Sequence, residues 1–506
     1  MQHVANRGRG ISLREIFPDA QFFGASDITA RSCCSDSRKC QPGDVFIALV
    51  GRDGDGHDHV HQAIQQGAVA VLAERLLPVA APTCVVSDTR EAWGHVCHSL
   101  AGHPADNLLT VGVTGSVGKT TTTLLLASVF EAAGQHVGLT STIAYSDSLK
   151  VRTPRRTTPA PPVLAKWMSR MVGNGCGSAI LELSSEALAQ RRLAGVQLDA
   201  AVLTNVRRDH LEFHGSQLNY RNAKARLFNH LKETSGVSVL NVDDAGSQSL
   251  LGKTAGAVMT VGMHEQAELM ATVVERYAGE QTFLLTAGNE TAAVRTRMIG
   301  DQHVYNCLSA AAVGLVAGLD LATVVKGIEA VEMVPGRLQR IECGQPFAVY
   351  VDYARTPDSL SLCLSTIRKV TDGRLIVVYG AEGDRSGENR PRLGRAAERY
   401  ADTTIITGHN PRHEEPLQIV HDILDGYDDP ARAHAIPNRQ RAIEFALSRA
   451  RSGDAVIIAG KGHEDWQIVG SRKRKFSDAD TARKWLYESV ADQVDAIPFP
   501  RWKRSA

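Results

Sequence analysis

The sequence predicts an α/β protein of three domains: a small N-terminal α/β domain, a central doubly wound domain built on a phosphate loop, and a C-terminal Rossmann-like α/β domain. At 506 residues the chain is long enough for about three ordinary domains. From about Leu108 onward, short apolar runs alternate with helix-length segments, the pattern of a parallel sheet covered on both faces. One strand-to-helix junction reads "TGSVGKTTTT" from Thr114, a small-residue loop followed by Gly118, Lys119 and four threonines. Backbone amides in such a loop surround a phosphate and the lysine reaches its outer oxygens.

Residues 1–105 form the first expected domain. "GDVFIALVG" and "AVAVLAE" are β-rich runs separated by a helical "HVHQAIQQG". The intervening "GRDGDGHD" is a loop and not a calcium hand, since Asp58 stands where glycine is needed and Ile64 where glutamate is needed. Residues 106–335 form the second, with strands expected in "LLTVGVTG", "SAILELSS", "DAAVLTN", "VSVLNVD" and "AVMTVG". "TPRRTTPAPP" from Thr153 is a proline-rich loop between elements, and "SAAAVGLVAGLDLATVV" near Ser309 reads as one buried helix. Residues 336–506 form the third. Four strands there each run into a polar loop: "FAVYVDYARTPD", "RLIVVYGAEGDRSGENRP", "DTTIITGHNPRHEEP" and "DAVIIAGKGHEDWQ". In wound sheets the crevice beyond the carboxyl ends of the strands takes the ligand.

Composition excludes several classes. Lys plus Arg number 56 against 55 Asp plus Glu, so no global basic field calls for nucleic acid or an anionic membrane. The N-terminus lacks the apolar core of a signal peptide, and no stretch is apolar enough to insert in a bilayer. Nine cysteines, an odd number, fit a reducing cytoplasm. Cys33, Cys34 and Cys40 cluster without the C-x-x-C spacing of a zinc site.

The phosphate loop departs from the standard spacing, with Val113 at the first glycine position and Gly112 and Gly115 beside it. Glu182 ends a strand with Ile180 and Ser184 on its face, which suits either a metal ligand or a salt bridge. Tyr220, Lys224 and Phe228 share one helix face with Leu227 beside them. A lysine there either snorkels to solvent or, if buried, favours the neutral amine.

The compact T-G-x-x-G-K-T form resembles the Mur ligase family, and further motifs follow in that family's order. They are "SDSR" at Ser35, "TTP" at Thr157, "ELSSEAL" at Glu182, "LTNVRRDHLEFHG" at Leu203, "YRNAKARLF" at Tyr220, "YNCLSAAA" at Tyr305, "GRLQRI" at Gly336, "VDYARTPDSL" at Val351, "HNPRHEEP" at His409 and "GKGHEDWQ" at Gly460. The last two resemble the branch that adds the third residue of the peptidoglycan stem, the UDP-N-acetylmuramoyl-tripeptide synthetases.

That resemblance implies an ATP-dependent ligase joining meso-diaminopimelate to UDP-N-acetylmuramoyl-L-Ala-D-Glu through an acyl phosphate, with Mg²⁺ as cofactor, in a cytoplasmic monomer. It implies catalytic roles for Lys119, Glu182, His210 and Lys224, and metal ligation by Thr120, Glu182, His210 and Lys224 as a carbamate. ATP would meet Gly115, Ser116, Val117, Gly118, Lys119, Thr120 and Thr121, with Asn306, Arg337 and Asp352. The UDP-sugar-peptide would meet Ser35, Ser37, Thr157, Thr158, Ser184, Gln190 and Arg192. The amino acid would meet Arg390, His409, Asn410, Pro411, Arg412, Gly460 and Glu464. Arg412 has the planar fork that suits a carboxylate.

Five positions depart from the family pattern. Val117 replaces an asparagine, Glu186 and Arg355 replace histidines, His409 replaces the aspartate of D-N-P-R, and "AEGDR" replaces G-G-D-R. Two other readings follow: a related ligase using lysine or another amine, and a catalytically silent nucleotide-binding paralogue.

Overall fold

The computed structural model describes residues 3–5, 10–51, 54–207, 209, 211–254 and 256–495. His210 lies outside the described residues.

The chain divides into two compact units, Met1–Ala271 with Leu285–Ala292 and Tyr305–Ala330, and Thr272–Leu284 with Ala293–Val304 and Val331–Ala506. The first unit opens with parallel strands β1 (Ser32–Cys34), β2 (Val45–Ile47), β3 (Ala70–Ala73) and β4 (Thr83–Val85), lying side by side. α1 (Val60–Gln65) joins β2 to β3, and α2 (Thr89–Leu100) follows β4, capped by Asp88, whose carboxylate accepts from the amides of Arg90 and Glu91. Cys33, Val45, Ile47, Leu72, Trp93 and Val96 form the core here.

The cysteine cluster turns out tighter than its spacing suggested. Ligand atoms of Cys34, Cys40 and Asp44 lie within 4.8 Å of one another, all buried. Cys34 Sγ donates to the Asp36 carbonyl at 3.2 Å, and its hydrogen bond to Cys40, followed by burial, pushes the Cys40 thiol up. Cys40 is therefore a neutral thiol, and both cysteines pack among Phe46, Val60 and Val71.

The same unit holds the second sheet. Its strands β5 (Leu109–Thr114), β6 (Val137–Thr140), β7 (Ser178–Glu182), β8 (Ala200–Leu203), β9 (Val237–Asn241) and β10 (Ala257–Gly262) run in the order β6-β7-β5-β8-β9-β10, all parallel. Every residue of β7 and β8 is buried, as expected of strands covered on both faces. Helices α3 (Lys119–Ala132), α4 (Pro161–Gly173), α5 (Ser185–Ala189) and α6 (Gln217–Ala225) make the crossovers. The N-terminal layer sits hard against this one. A Cβ on Gly94 of α2 would come 2.5 Å from the Ala194 carbonyl oxygen, so only glycine permits the approach.

The expected single helix near Ser309 is two, α7 (Asp301–Val316) and α8 (Leu321–Glu329). Gly318 takes a positive φ of 85°, and Asp320 caps α8 by accepting from the Thr323 amide. The apolar run continues through a turn because both helices bury it.

The second unit centres on a sheet of β11 (Ala348–Asp352), β12 (Leu375–Tyr379), β13 (Thr403–Ile406), β14 (Ala433–Ala435) and β15 (Ala455–Ala459), parallel in the order β11-β15-β12-β13-β14. Helices α9 (Pro357–Arg368), α10 (Arg390–Tyr400), α11 (Pro416–Leu424) and α12 (Arg439–Arg449) cover it. A hairpin, β16 (Trp466–Val469) and β17 (Arg472–Lys475), follows β15. All four polar loops noted in the sequence leave carboxyl ends of strands in this one sheet. Among the described residues no helix is long and apolar enough to cross a membrane.

Candidate active site

In the first unit the chain turns from β5 into α3 through two glycines with positive φ, Gly115 at 152° and Gly118 at 94°. A Cβ on Gly115 would fall 1.9 Å from Thr204 Oγ1, so the loop closes only over glycine. Gly118 is the N-cap of α3, and no side chain caps that helix, leaving its first amides to an anion. The backbone of Val117 is clamped by Asn205, which accepts from its N–H at 3.0 Å and donates to its carbonyl at 2.9 Å. Valine in place of asparagine thus leaves the loop shape intact. Ser116 Oγ accepts the Arg207 amide at 2.9 Å and meets the Tyr220 hydroxyl at 2.9 Å.

Lys119 Nζ donates to the carbonyls of Gly115 (2.8 Å) and Ser116 (3.1 Å). Lys224 Nζ reaches the same Gly115 carbonyl at 2.7 Å, 4.5 Å above the Tyr220 ring. Only 1% of Lys224 is exposed. Burial first, then the charge of Lys119, hold its amine well below the usual lysine range, with Asp209 opposing. Phe228, expected on the same helix face, lies beyond the end of α6 in a 3₁₀ turn, still buried.

Glu182, at the end of β7, accepts the Thr120 hydroxyl at 3.0 Å and the Thr142 hydroxyl at 2.8 Å on Oε1, and the Thr142 amide at 2.8 Å on Oε2. Thr120, Thr121 and Glu182 are buried. Glu182 therefore faces hydroxyls rather than the salt-bridge partner that was the alternative. Thr142 also meets Thr157 Oγ1 at 3.0 Å, and no sequence signal pointed to it.

A second group joins this one. Thr158 Oγ1 donates to the Glu182 carbonyl at 2.9 Å and accepts the Ser184 amide at 3.0 Å. Ser184 caps α5, and Arg192 donates to the Thr158 carbonyl at 2.9 Å and to Gln190 Oε1 at 2.7 Å. Burial, then repulsion from Arg156, bring the Arg192 pKa down to about 10. Where the family has a histidine at Glu186, His214 Nε2 instead meets the neighbouring Ser185 Oγ at 3.0 Å. Ser35 and Ser37 lie on another loop, after β1, where Ser37 Oγ donates to Gln62 at 2.7 Å. Asn306 is buried on α7.

In the second unit Arg337 and Arg355 both lie on the Tyr353 ring, at 4.5 and 4.6 Å. Asp352 accepts the amides of Leu338 and Ala354, each at 2.7 Å; burial raises its pKa against the pull of Arg337. The loops after β12, β13 and β15 converge on Asn410. Its Oδ1 accepts Lys461 Nζ (3.2 Å) and the Ile468 amide (3.1 Å), and its Nδ2 faces Glu382 (3.4 Å) and Glu464 (3.5 Å). Pro411 and Arg412 follow; Arg412 holds a left-handed φ of 54°, with its carbonyl accepting the Gly470 amide. Its buried Nε has no hydrogen-bond partner among the described residues. Gly460 backs His409, since a Cβ there would stand 3.0 Å from the imidazole. Arg390 is buried and paired with Glu414 (2.7 Å) and Asp422 (2.8 Å). Lys461, fully buried within the quoted "GKGHEDWQ", and Glu382 belong to the cluster although the sequence reading assigned them no role.

Three family models match in order: "Mur ligase family, catalytic domain" over residues 31–95, "Mur ligase middle domain" over 113–314 and "Mur ligase, glutamate ligase domain" over 336–462. The chain belongs to the Mur ligase family. The UDP-N-acetylmuramoyl-L-alanyl-D-glutamate--2,6-diaminopimelate ligase of Geobacillus kaustophilus is 40% identical over 92% of this chain and 96% of its own length. The ligase of the same name from Bacillus licheniformis is 37% identical over the same shares. A solved structure of a ligase of this name superposes with a TM-score of 0.67 at 32% identity, covering 95% of this chain and 99% of the other. A MurF ligase from Thermotoga maritima in complex with ADP shares the fold at 20% identity, with a TM-score of 0.61. Membership in this Mur ligase family places the phosphate loop and the Asn410 cluster in one enzyme chain.

Proposed function

We infer that this Mur ligase couples ATP cleavage to amide formation between UDP-N-acetylmuramoyl-L-Ala-D-Glu and meso-diaminopimelate, in the cytoplasm. The observation that carries the reading is the reach of the similarity. It runs over 92% of the chain to a diaminopimelate ligase, so it includes both the phosphate loop and the loops around Asn410. We keep 1–105, 106–335 and 336–506 as the uridine-, ATP- and amino-acid-binding domains.

A carboxylate of the dipeptide's glutamyl residue attacks the γ-phosphorus of ATP, giving an acyl phosphate and ADP. The amine of the diamino acid then attacks the acyl carbon, and phosphate leaves. The first step brings two anions together and the second needs a neutral amine, which gives up a proton as the amide forms, so the protein's task is charge neutralisation and alignment. The loop from Gly115 to Thr121 receives the phosphates, with Lys119 exchanging its loop carbonyls for phosphate oxygens. Arg192 and its neighbours Thr157, Thr158, Ser184 and Gln190 hold the muramoyl-peptide, and Ser35 and Ser37 the uridine end. Asn306, Arg337 and Asp352 hold the nucleotide. Arg412 takes the distal carboxylate of the diamino acid and Glu464 its ammonium, beside His409, Asn410, Pro411 and Gly460, with Arg390 bracing the loop.

The oxygen set fits Mg²⁺: the Thr120 hydroxyl and Glu182 carboxylate are buried and 3.0 Å apart. Thr120, Glu182, His210 and a carbamate on Lys224 would hold the metal, which supplies charge to the phosphoryl oxygens. Lys224 is suited to the carbamate because its buried amine favours the neutral, nucleophilic form. The test is mass analysis of products from UDP-muramoyl-Ala-Glu, ATP, Mg²⁺ and an equimolar mixture of diaminopimelate and lysine. Diaminopimelate adduct alone supports the reading. Lysine adduct replaces the amine, and phosphate release at background supports the silent paralogue.

A further inference from the structure

Helix α6 presents Tyr220 and Lys224 to the phosphate loop, and a different face of the same helix borders a cavity of about 240 Å³. Arg221 and Ala225 line it from that face and Arg226 from the C-cap. Phe228 of the following 3₁₀ turn lines it too, and Leu250 and Lys253 come from the connection between β9 and β10. All of these residues belong to the first unit.

The charge in this cavity is of one sign. Arg221, Arg226 and Lys253 line it, and no carboxylate does among the described residues. Arg221 and Arg226 are half-buried and Lys253 is exposed. The side chain of Arg221 donates to Ser249 Oγ at 3.4 Å, and that of Arg226 to the Ala189 carbonyl at 3.2 Å. Both acceptors are neutral, and none of the three cations has an ion-pair partner among the described residues. Elsewhere in the chain, buried arginines are answered in full: Arg390 by Glu414 and Asp422, Arg439 by Asp478. Like charges brought together without a counter-charge repel one another, and an anion among them removes that repulsion. Phe228 and Leu250 are buried, and with Ala225 they give the same cavity an apolar wall. Three free cations beside an apolar wall match a ligand whose negative charge sits on one group and whose remainder is apolar. A phosphate monoester has that form: two charges at one end, guanidinium-compatible oxygens, and a carbon stem.

We propose that this cavity is a binding site for a small phosphate monoester, separate from the phosphate loop and independent of the ligase reading. The alternative is three solvated cations that only complement the carbonyl end of α6.

The experiment is calorimetric titration of the full chain at low salt with phenyl phosphate, inorganic phosphate and benzoate. A non-hydrolysable ATP analogue and Mg²⁺ are kept saturating, so that the phosphate loop is occupied. Wild type should bind phenyl phosphate with a Kd below about 1 mM, and inorganic phosphate and benzoate more weakly. K253A should weaken phenyl phosphate about 3- to 10-fold and R221Q/K253A about 10- to 100-fold, while K253R should bind like wild type. Equal affinity for benzoate or inorganic phosphate, binding that the ATP analogue abolishes, or wild-type affinity in R221Q/K253A at unchanged Tm would each overturn the proposal. If R221Q/K253A fails to fold, K253A decides alone, because its side chain is exposed and makes no ion pair: undiminished binding there sinks the site.

Discussion

Replacing Lys224 with methionine separates catalysis from folding at the most constrained amine in the molecule. The side chain is 1% exposed and donates one hydrogen bond, 2.7 Å to the Gly115 carbonyl. That carbonyl also receives Lys119 at 2.8 Å, so K224M does not orphan it. Methionine matches the length of the lysine stem, so no cavity opens. The stability change reduces to one hydrogen bond, about 0.5–1.5 kcal/mol, set against the relieved cost of burying an amine. Loss of an anionic oxygen from the metal site should cost about 100- to 1000-fold in kcat. The assay is phosphate release in bicarbonate buffer, with formate or acetate titrated into K224M to restore part of the rate. Stability supplies an independent arm. The folded pKa of Lys224 lies below its unfolded value, so below the latter the unfolded chain binds the extra proton. Wild type in CO₂-free buffer should therefore lose stability as pH falls from the unfolded amine's pKa towards the folded one, and K224M should lack that slope. A K224M enzyme within about fivefold of wild-type kcat/KM, or stability curves parallel in pH, would refute the reasoning.

Three further outcomes are expected. G115A must place its Cβ against Thr204 Oγ1, so ATP should no longer raise its Tm, at a backbone cost of about 1–3 kcal/mol; an unchanged nucleotide-induced shift counts against the phosphate cradle. R412K keeps the charge but loses the fork, and KM for meso-diaminopimelate should rise about tenfold while KM for ATP stays level. R439M leaves Asp478, its buried bidentate partner at 2.7 Å, without a counter-charge and should cost about 3–5 kcal/mol in denaturant unfolding, largely recovered in R439M/D478L.

The strands were legible because parallel strands buried on both faces read as unbroken apolar runs. Each of the nine quoted for the central and C-terminal sheets lies at its expected place, as at Ser178–Glu182 and Ala455–Ala459. The break at Asp320 was not, since an apolar run looks the same whether one helix or two bury it. Contacts within one loop motif were legible, as between Lys119 and the Gly115 and Ser116 carbonyls. Thr142 was not, because only the fold brings that strand end to Glu182. Nor was the pairing of Arg390 with Glu414 and Asp422, which joins α10 to the loop after β13 and to α11.

One oxygen, the Gly115 carbonyl, is shared by two amines, Lys119 at 2.8 Å and Lys224 at 2.7 Å. The oxygen has a lone pair for each, and the charge on the first discourages a proton on the second. A triphosphate that drew Lys119 outward would leave that oxygen to Lys224 alone and weaken the repulsion, so an anion in the cradle would be felt at an amine it need not touch.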